Sequence, residues 1–201
     1  MFEFITKGGI FMYPILACLV VGLAIILERG VALVRKKIVP YSIIDATEAV
    51  RDIDDIPTLK KICEDDKSAL ATVILTAISH FDWPKNENLE AIQTKARVEI
   101  NKMERGLVFL EICIGIGPLL GLLGTVSGLM RIFQGLGTAS SDLQTQIIAH
   151  GIAEALNNTV AGIGIAIPAL IAWSYFSRKI ESAGVLMESV CTDLLSKVYR
   201  S

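Results

Sequence analysis

Nineteen consecutive residues, Ile112 to Met130, carry no charge. As a helix that run is about 28 Å long, close to the roughly 30 Å thickness of a bilayer core. Ile10 to Leu27 is a second charge-free run of 18 residues. A third apolar window, Ile147 to Phe176, is interrupted only by His150 and Glu154 among ionisable groups. Backbone polar groups must be satisfied internally in lipid, so a chain with three such runs is held to helices. The expected fold is an all-α membrane protein with three transmembrane helices. The second and third extend far into the cytoplasm as a helical bundle.

Charge placement sets the orientation. Glu28-Arg29 closes the first run, and Arg35, Lys36 and Lys37 follow. Lys95, Arg97, Lys102 and Arg105 precede the second, and Arg178 and Lys179 stop the third. Positive residues collect on the cytoplasmic side, which puts the N-terminus outside and the C-terminus inside. Glu3 and Lys7 give no basic leader, so the first run is expected to remain as an anchor.

The resulting organisation is an interfacial or periplasmic segment at 1-9, with Phe2, Phe4 and Ile5 as apolar contacts, and a first span at 10-27. A cytoplasmic helical region follows at 28-106 and a second span at 107-133. A polar periplasmic loop lies at 134-146, a third span at 147-177 and a cytoplasmic helical tail at 178-201. Within 28-106, Ala69 to Ile78 is apolar but too short to cross, and reads as a packed helix. Leu89, Ile92, Ala96, Ile100, Met103, Leu107, Leu110 and Ile114 alternate at three and four. That spacing predicts one helix entering the membrane without a break. Phe176, Ile180, Ala183, Met187, Val190, Leu194 and Val198 predict a companion helix in the tail.

The spans carry more small and polar residues than an anchor needs. Gly117, Gly121, Gly124 and Gly128 share one face of the second. Ala155, Thr159, Gly162 and Ala166 share one face of the third. Small faces allow close helix approach. Thr125 lies about 30 Å along its helix from Arg105, and Thr159 about 28 Å from Arg178. The two threonines therefore fall at matched depth on antiparallel helices. Each hydroxyl either bonds its own backbone or serves an ion path. Glu154 lies about 36 Å from Arg178, level with Arg131. It is either a rim salt bridge with Arg131 or a pore-facing carboxylate, with His150, Asn157 and Asn158 on its polar side.

Other classes find little support. The formal net charge of -2 gives no bulk attraction to nucleic acid. The acidic clusters at Asp52/Asp54/Asp55 and Glu64/Asp65/Asp66 lack the spacing and glycine bend of a calcium loop. Cys18, Cys63, Cys113 and Cys191 are far apart in sequence and read as reduced packing residues, with no metal site. No nucleotide loop or nucleophile–base pair is present, so no catalytic residue and no enzyme activity is expected.

At the small-residue segments the chain resembles the ExbB/TolQ/MotA proton-channel family. The carrying motifs are Pro118-Leu-Leu-Gly-Leu-Leu-Gly-Thr-Val-Ser-Gly128 and Gly151-Ile-Ala-Glu-Ala-Leu, continuing through Thr159 to Ala166-Ile-Pro-Ala169. The start, Gly8-Gly9-Ile-Phe-Met-Tyr-Pro14 with Glu28-Arg29, is similar to the ExbB type (biopolymer transport protein). Three spans rather than four set it apart from flagellar-type MotA stators.

The resemblance implies a homopentamer in the bacterial inner membrane. Its pore would hold a dimer of an ExbD/TolR-like single-span subunit whose aspartate titrates. A TonB-like protein is a further implied partner, besides membrane lipid. Thr125, Glu154, Thr159 and Asn158 would face the ion path, with Gly121, Gly124, Gly128, Ala155, Gly162 and Ala166 packing the pore. The transported ion is H+, with Na+ as the alternative, and no cofactor is implied. The work done would fall on a periplasmic or outer-membrane client, as in TonB-dependent transport. A TolQ-like envelope-maintenance motor and a non-conducting helical scaffold are the alternatives.

Overall fold

The computed structural model describes residues 9–136 and 141–199. The expected amphipathic segment Met1 to Lys7 lies outside them. Within the described residues every regular element is helical: α1 Met12–Ala32, α2 Arg35–Ile38, α3 Tyr41–Ala49, a 3-10 turn Ile53–Asp55, α4 Ile56–Asp65, α5 Ala69–Ser79, α6 Lys85–Glu104, α7 Leu107–Leu136 and α8 Ser141–Val198. Helices α1, α7 and α8 are long and apolar enough to cross a membrane. The fold is that of an all-α membrane protein.

Two compact units emerge, residues 1–28 with 106–174, and residues 29–105 with 175–201. In the first, α1, α7 and α8 supply the core. Met12 and Ile15 of α1 bury against Ile165 of α8, with Cys18, Leu19, Leu120 and Ala161 around them. Large side chains such as Leu119, Leu122, Leu156 and Val160 stay exposed on the outer faces. Apolar side chains gain little from helix–helix contact in lipid, so close packing is left to the small residues.

The second unit is a helical bundle. The apolar run read as a packed helix is α5, which buries Leu70, Ala71, Val73, Ile74 and Ala77. Ser68 starts it, its hydroxyl accepting the Ala71 N–H at 3.2 Å, which satisfies one of the orphan donors of the first turn. The tail part of α8 lies beside α6, with Gln93 donating to Glu188 at 3.0 Å. The Tyr199 hydroxyl reaches the Trp83 carbonyl at 2.7 Å and tethers the end of the chain. Before α4, the Asp55 carboxylate accepts the backbone N–H groups of Arg51 at 3.0 Å and Asp52 at 3.4 Å. Those bonds to the charged form hold its pKa below the usual value.

Three local expectations are corrected. The helix expected to run unbroken from Leu89 into the membrane stops at Glu104 and restarts at Leu107. Gly106 sits in the gap, and glycine is a poor helix former. The three-four pattern continues across it and so conceals it. The helical extension of the first run, expected to last to Pro40, breaks after Ala32 and restarts at Arg35 as α2. Helical structure also reaches Leu136 and resumes at Ser141, well inside the stretch read as a polar loop.

Candidate functional site

The small faces of α7 and α8 meet each other within one chain. A Cβ added to Gly117 would lie 3.0 Å from the Gly162 carbonyl, and one on Gly121 would lie 2.9 Å from the Asn158 carbonyl. On Gly128 it would lie 2.8 Å from the Gly151 carbonyl and 3.2 Å from the Ala155 Cβ. Ala166 packs 3.8 Å from the same probe position on Gly117. Gly121, Gly124, Gly128, Ala155, Gly162 and Ala166 thus all sit buried in or beside one intramolecular seam. The sequence placed them on shared helix faces. What it did not reveal is that the two faces are each other's partner.

The polar residues are threaded through this seam. Thr125 and Thr159, placed at matched depth by counting, are in contact: their hydroxyl oxygens are 2.5 Å apart. The Thr125 hydroxyl also lies 3.1 Å from the Gly121 carbonyl and 3.3 Å from the Ala155 carbonyl. The Thr159 hydroxyl lies 3.3 Å from the Ala155 carbonyl. One hydroxyl donates to the other, and the second donates in turn to a backbone carbonyl. Both orders are satisfied by the same atoms, so the pair can invert its direction without moving a heavy atom. Both side chains are half-buried.

Asn158 is fully buried against Gly124, and neither its amide oxygen nor its amide nitrogen has a hydrogen-bond partner among the described residues. A Cβ on Gly124 would meet the Asn158 Cβ, Cγ and Nδ2, each at 2.5 Å. Asn158 therefore fits because residue 124 is glycine. Asn157 and His150 lie toward the outer face of α8, half-buried and exposed respectively, and Glu111 is exposed on α7.

Glu154 is 2% exposed, and its Oε2 accepts from Arg131 Nη1 at 3.0 Å. The rim pairing that helix counting allowed is present in the chain. Arg131 keeps about half of its side chain in the open, at 53%. The third contributor was not legible in the sequence. Gly9 adopts φ +66°, and the Glu154 Oε1 lies within clash distance of where its Cβ would be. A glycine ahead of an apolar run was the only available signal.

The cysteines are closer than their spacing suggested. The Cys113 thiol donates to the Cys18 carbonyl at 3.6 Å. In the other unit Cys63 and Cys191 neighbour each other, both buried. Burial, with Asp66 nearby, pushes the Cys63 thiol up to about 11. Burial beside Cys63 takes Cys191 to about 12. These are inert thiols, and all four cysteines are unbridged.

Three apolar helices and a small-residue seam that carries a hydroxyl pair and a buried ion pair define a polytopic membrane protein. Comparison with known proteins gives the family. A model of the MotA/TolQ/ExbB proton channel family matches residues 65–189. This chain belongs to that family.

An ExbB-like biopolymer transport protein of a Synechocystis strain is 34% identical over 172 residues, covering 82% of this chain and 66% of the relative. The Tol-Pal system protein TolQ of Pseudomonas aeruginosa is 42% identical over 98 residues, 46% of this chain and 42% of TolQ. The biopolymer transport protein ExbB of Salmonella typhimurium is 38% identical over 94 residues, 46% of this chain and 38% of ExbB. The chain thus spans just under two thirds of the Synechocystis relative and about two fifths of TolQ and ExbB.

Proposed function

We propose that this chain is the pore-forming subunit of a proton-motive-force-driven motor of the ExbB type in a bacterial inner membrane. The observation that carries the reading is the Thr125–Thr159 hydroxyl pair, 2.5 Å apart between two spanning helices and half-open to their surroundings. A hydroxyl pair that can reverse its donor direction can order water or pass a proton beside a titrating group. Asn158, with both ends of its amide unpaired among the described residues, adds a further polar group at the same level.

In this reading the chain assembles as a homopentamer, with its N-terminus periplasmic and its C-terminus cytoplasmic. The pore accepts a dimer of an ExbD/TolR-like single-span protein. The ion is H+, and Na+ is the alternative that the oxygen-rich level of Thr125, Asn158 and Thr159 admits. Displacement of the inner helices carries force to a periplasmic or outer-membrane client, as in TonB-dependent transport with a TonB-like protein. The chain itself does no chemistry on a substrate.

Two other readings rest on specific observations. The similarity to the Tol-Pal system protein TolQ supports an envelope-maintenance motor as the alternative. The Arg131–Glu154 pair favours a non-conducting scaffold in which the polar residues only pack. Native mass spectrometry of the detergent-solubilised protein, alone and co-expressed with a single-span partner encoded beside it, separates motor from scaffold. Five copies that take up two partner chains support the motor. A monomer or dimer that ignores the partner refutes it.

A further inference from the structure

The turn before α1 meets the buried carboxylate of α8. Gly9 is the one described residue in the left-handed region, at φ +66°. Its carbonyl accepts the Met12 N–H at 3.3 Å, which closes the turn into α1. The Glu154 carboxylate lies against Gly9: Oε1 would clash with a Cβ built there, Cδ is 3.0 Å from that position, and Arg131 Nη1 is 3.7 Å from it. The other oxygen, Oε2, is held by Arg131 at 3.0 Å. The carboxylate is thus held by α7 on one side and faces the turn before α1 on the other.

We propose that Gly9 is a positioning residue for Glu154, and that the Gly9 turn sets how accessible the carboxylate is. An L-residue at position 9 is disfavoured by φ, and its Cβ would have to push the Glu154 Oε1 aside. Glu154 at 2% exposure therefore becomes reachable when the turn moves. The consequence for ion flow rests on the proposed function above. The positioning itself does not.

The test uses the full chain reconstituted in liposomes at pH 6 and an apolar carbodiimide, dicyclohexylcarbodiimide. This reagent adds whole to a protonated carboxyl, and peptide mass spectrometry reads the adduct at residue 154. Alanine is disfavoured in the left-handed conformation by enough to shift a closed turn toward open about tenfold. Gly9→Ala is expected to raise the labelling rate at Glu154 by about that factor. Alkylation of Cys113, buried on α7, should stay at the wild-type rate. Shortening the carboxylate makes room for the new methyl, so Gly9→Ala/Glu154→Asp should label at Asp more slowly than Gly9→Ala labels at Glu.

An unchanged rate at Glu154 in Gly9→Ala overturns the proposal. So does an equal rise in the control Ile10→Ala, or a rise matched by Cys113 and not reduced by Glu154→Asp. Those results mean general loosening. Ion flux with the partner then separates the two levels of the argument. If labelling rises as expected while flux is unaltered, Gly9 positions Glu154 and the carboxylate lies off the ion path.

Discussion

Replacing Gly124 by alanine tests the seam where its geometry is tightest. The new Cβ would lie 2.5 Å from Asn158 Cβ, Cγ and Nδ2, whereas ordinary contact begins at 3.4 Å. The shortfall is 0.9 Å, the difference of those two distances. Rotating the amide relieves two of the three contacts but not the one with Cβ, which is fixed to the backbone. The helices must therefore part, and the neighbouring backbone approaches at Gly121 and Gly128 resist that. Parting by about 0.9 Å also stretches the 2.5 Å Thr125–Thr159 contact to the limit of hydrogen bonding. Overpacking of this kind costs about 1–3 kcal/mol, and a lost interhelical hydrogen bond in lipid about 0.6 kcal/mol.

We expect Gly124→Ala to lose about 2 kcal/mol in reversible SDS unfolding from mixed micelles followed by circular dichroism. Gly115 on the same helix has nothing within 4 Å of its probe position, so Gly115→Ala should fall within about 0.5 kcal/mol of wild type. Asn158→Gly removes all three clashing atoms. Adding Gly124→Ala to Asn158→Gly should therefore have much less effect than adding it to wild type. Equal tolerance of alanine at 115 and 124 would refute the seam, and so would failure of Asn158→Gly to relieve the clash.

Arg131→Ala leaves the Glu154 carboxylate buried without its cation. Because the arginine side chain is half open, the expected loss is about 1–3 kcal/mol, below that of a fully buried pair. Glu154→Gln in the same background should recover part of it in the same unfolding assay. Thr159→Val leaves Thr125 with the carbonyls of Gly121 and Ala155 as acceptors, so stability should change by no more than about 0.6–1.7 kcal/mol. Ion-driven work, measured as partner-dependent flux, should be lost in that variant. The Cys63 and Cys191 thiols are raised from 9.0 to about 11 and about 12. The folded form then holds more protons than the unfolded one above pH 9, so stability is intact below pH 9 and falls as pH rises through 11 to 12. Thermal melts at pH 8 and pH 10.5 should show a decline that Cys63→Ser/Cys191→Ser lessens.

Much of the fold was legible because membrane helices announce themselves by length and absence of charge. Counting residues from flanking cations put Thr125 and Thr159 at one depth and Glu154 level with Arg131, since rise per residue in a helix is fixed, but depth alone did not decide which side chains touch. The pattern method failed where two helices continue the same phase, as across Arg105-Gly106. It also failed to pair the small faces, because a glycine stripe states that something approaches closely and not what. Gly9 was invisible for a related reason: its φ and the carboxylate resting on it are tertiary facts. Asn158 stands four residues after Glu154, which marks it as part of a polar helix face. Its burial against Gly124 shows that the amide is also a packing element, whose size is matched to a missing side chain.

The central claim is that the Thr125–Thr159 pair serves an ion path through an assembled motor. Proton flux into proteoliposomes carrying this chain and its single-span partner tests it most directly, with a pH-sensitive dye inside and an imposed membrane potential. The account predicts flux that requires both chains and that Thr159→Val abolishes while the complex keeps its stoichiometry. Undiminished flux through intact Thr159→Val complexes, or none through wild-type complexes of confirmed composition, would contradict it.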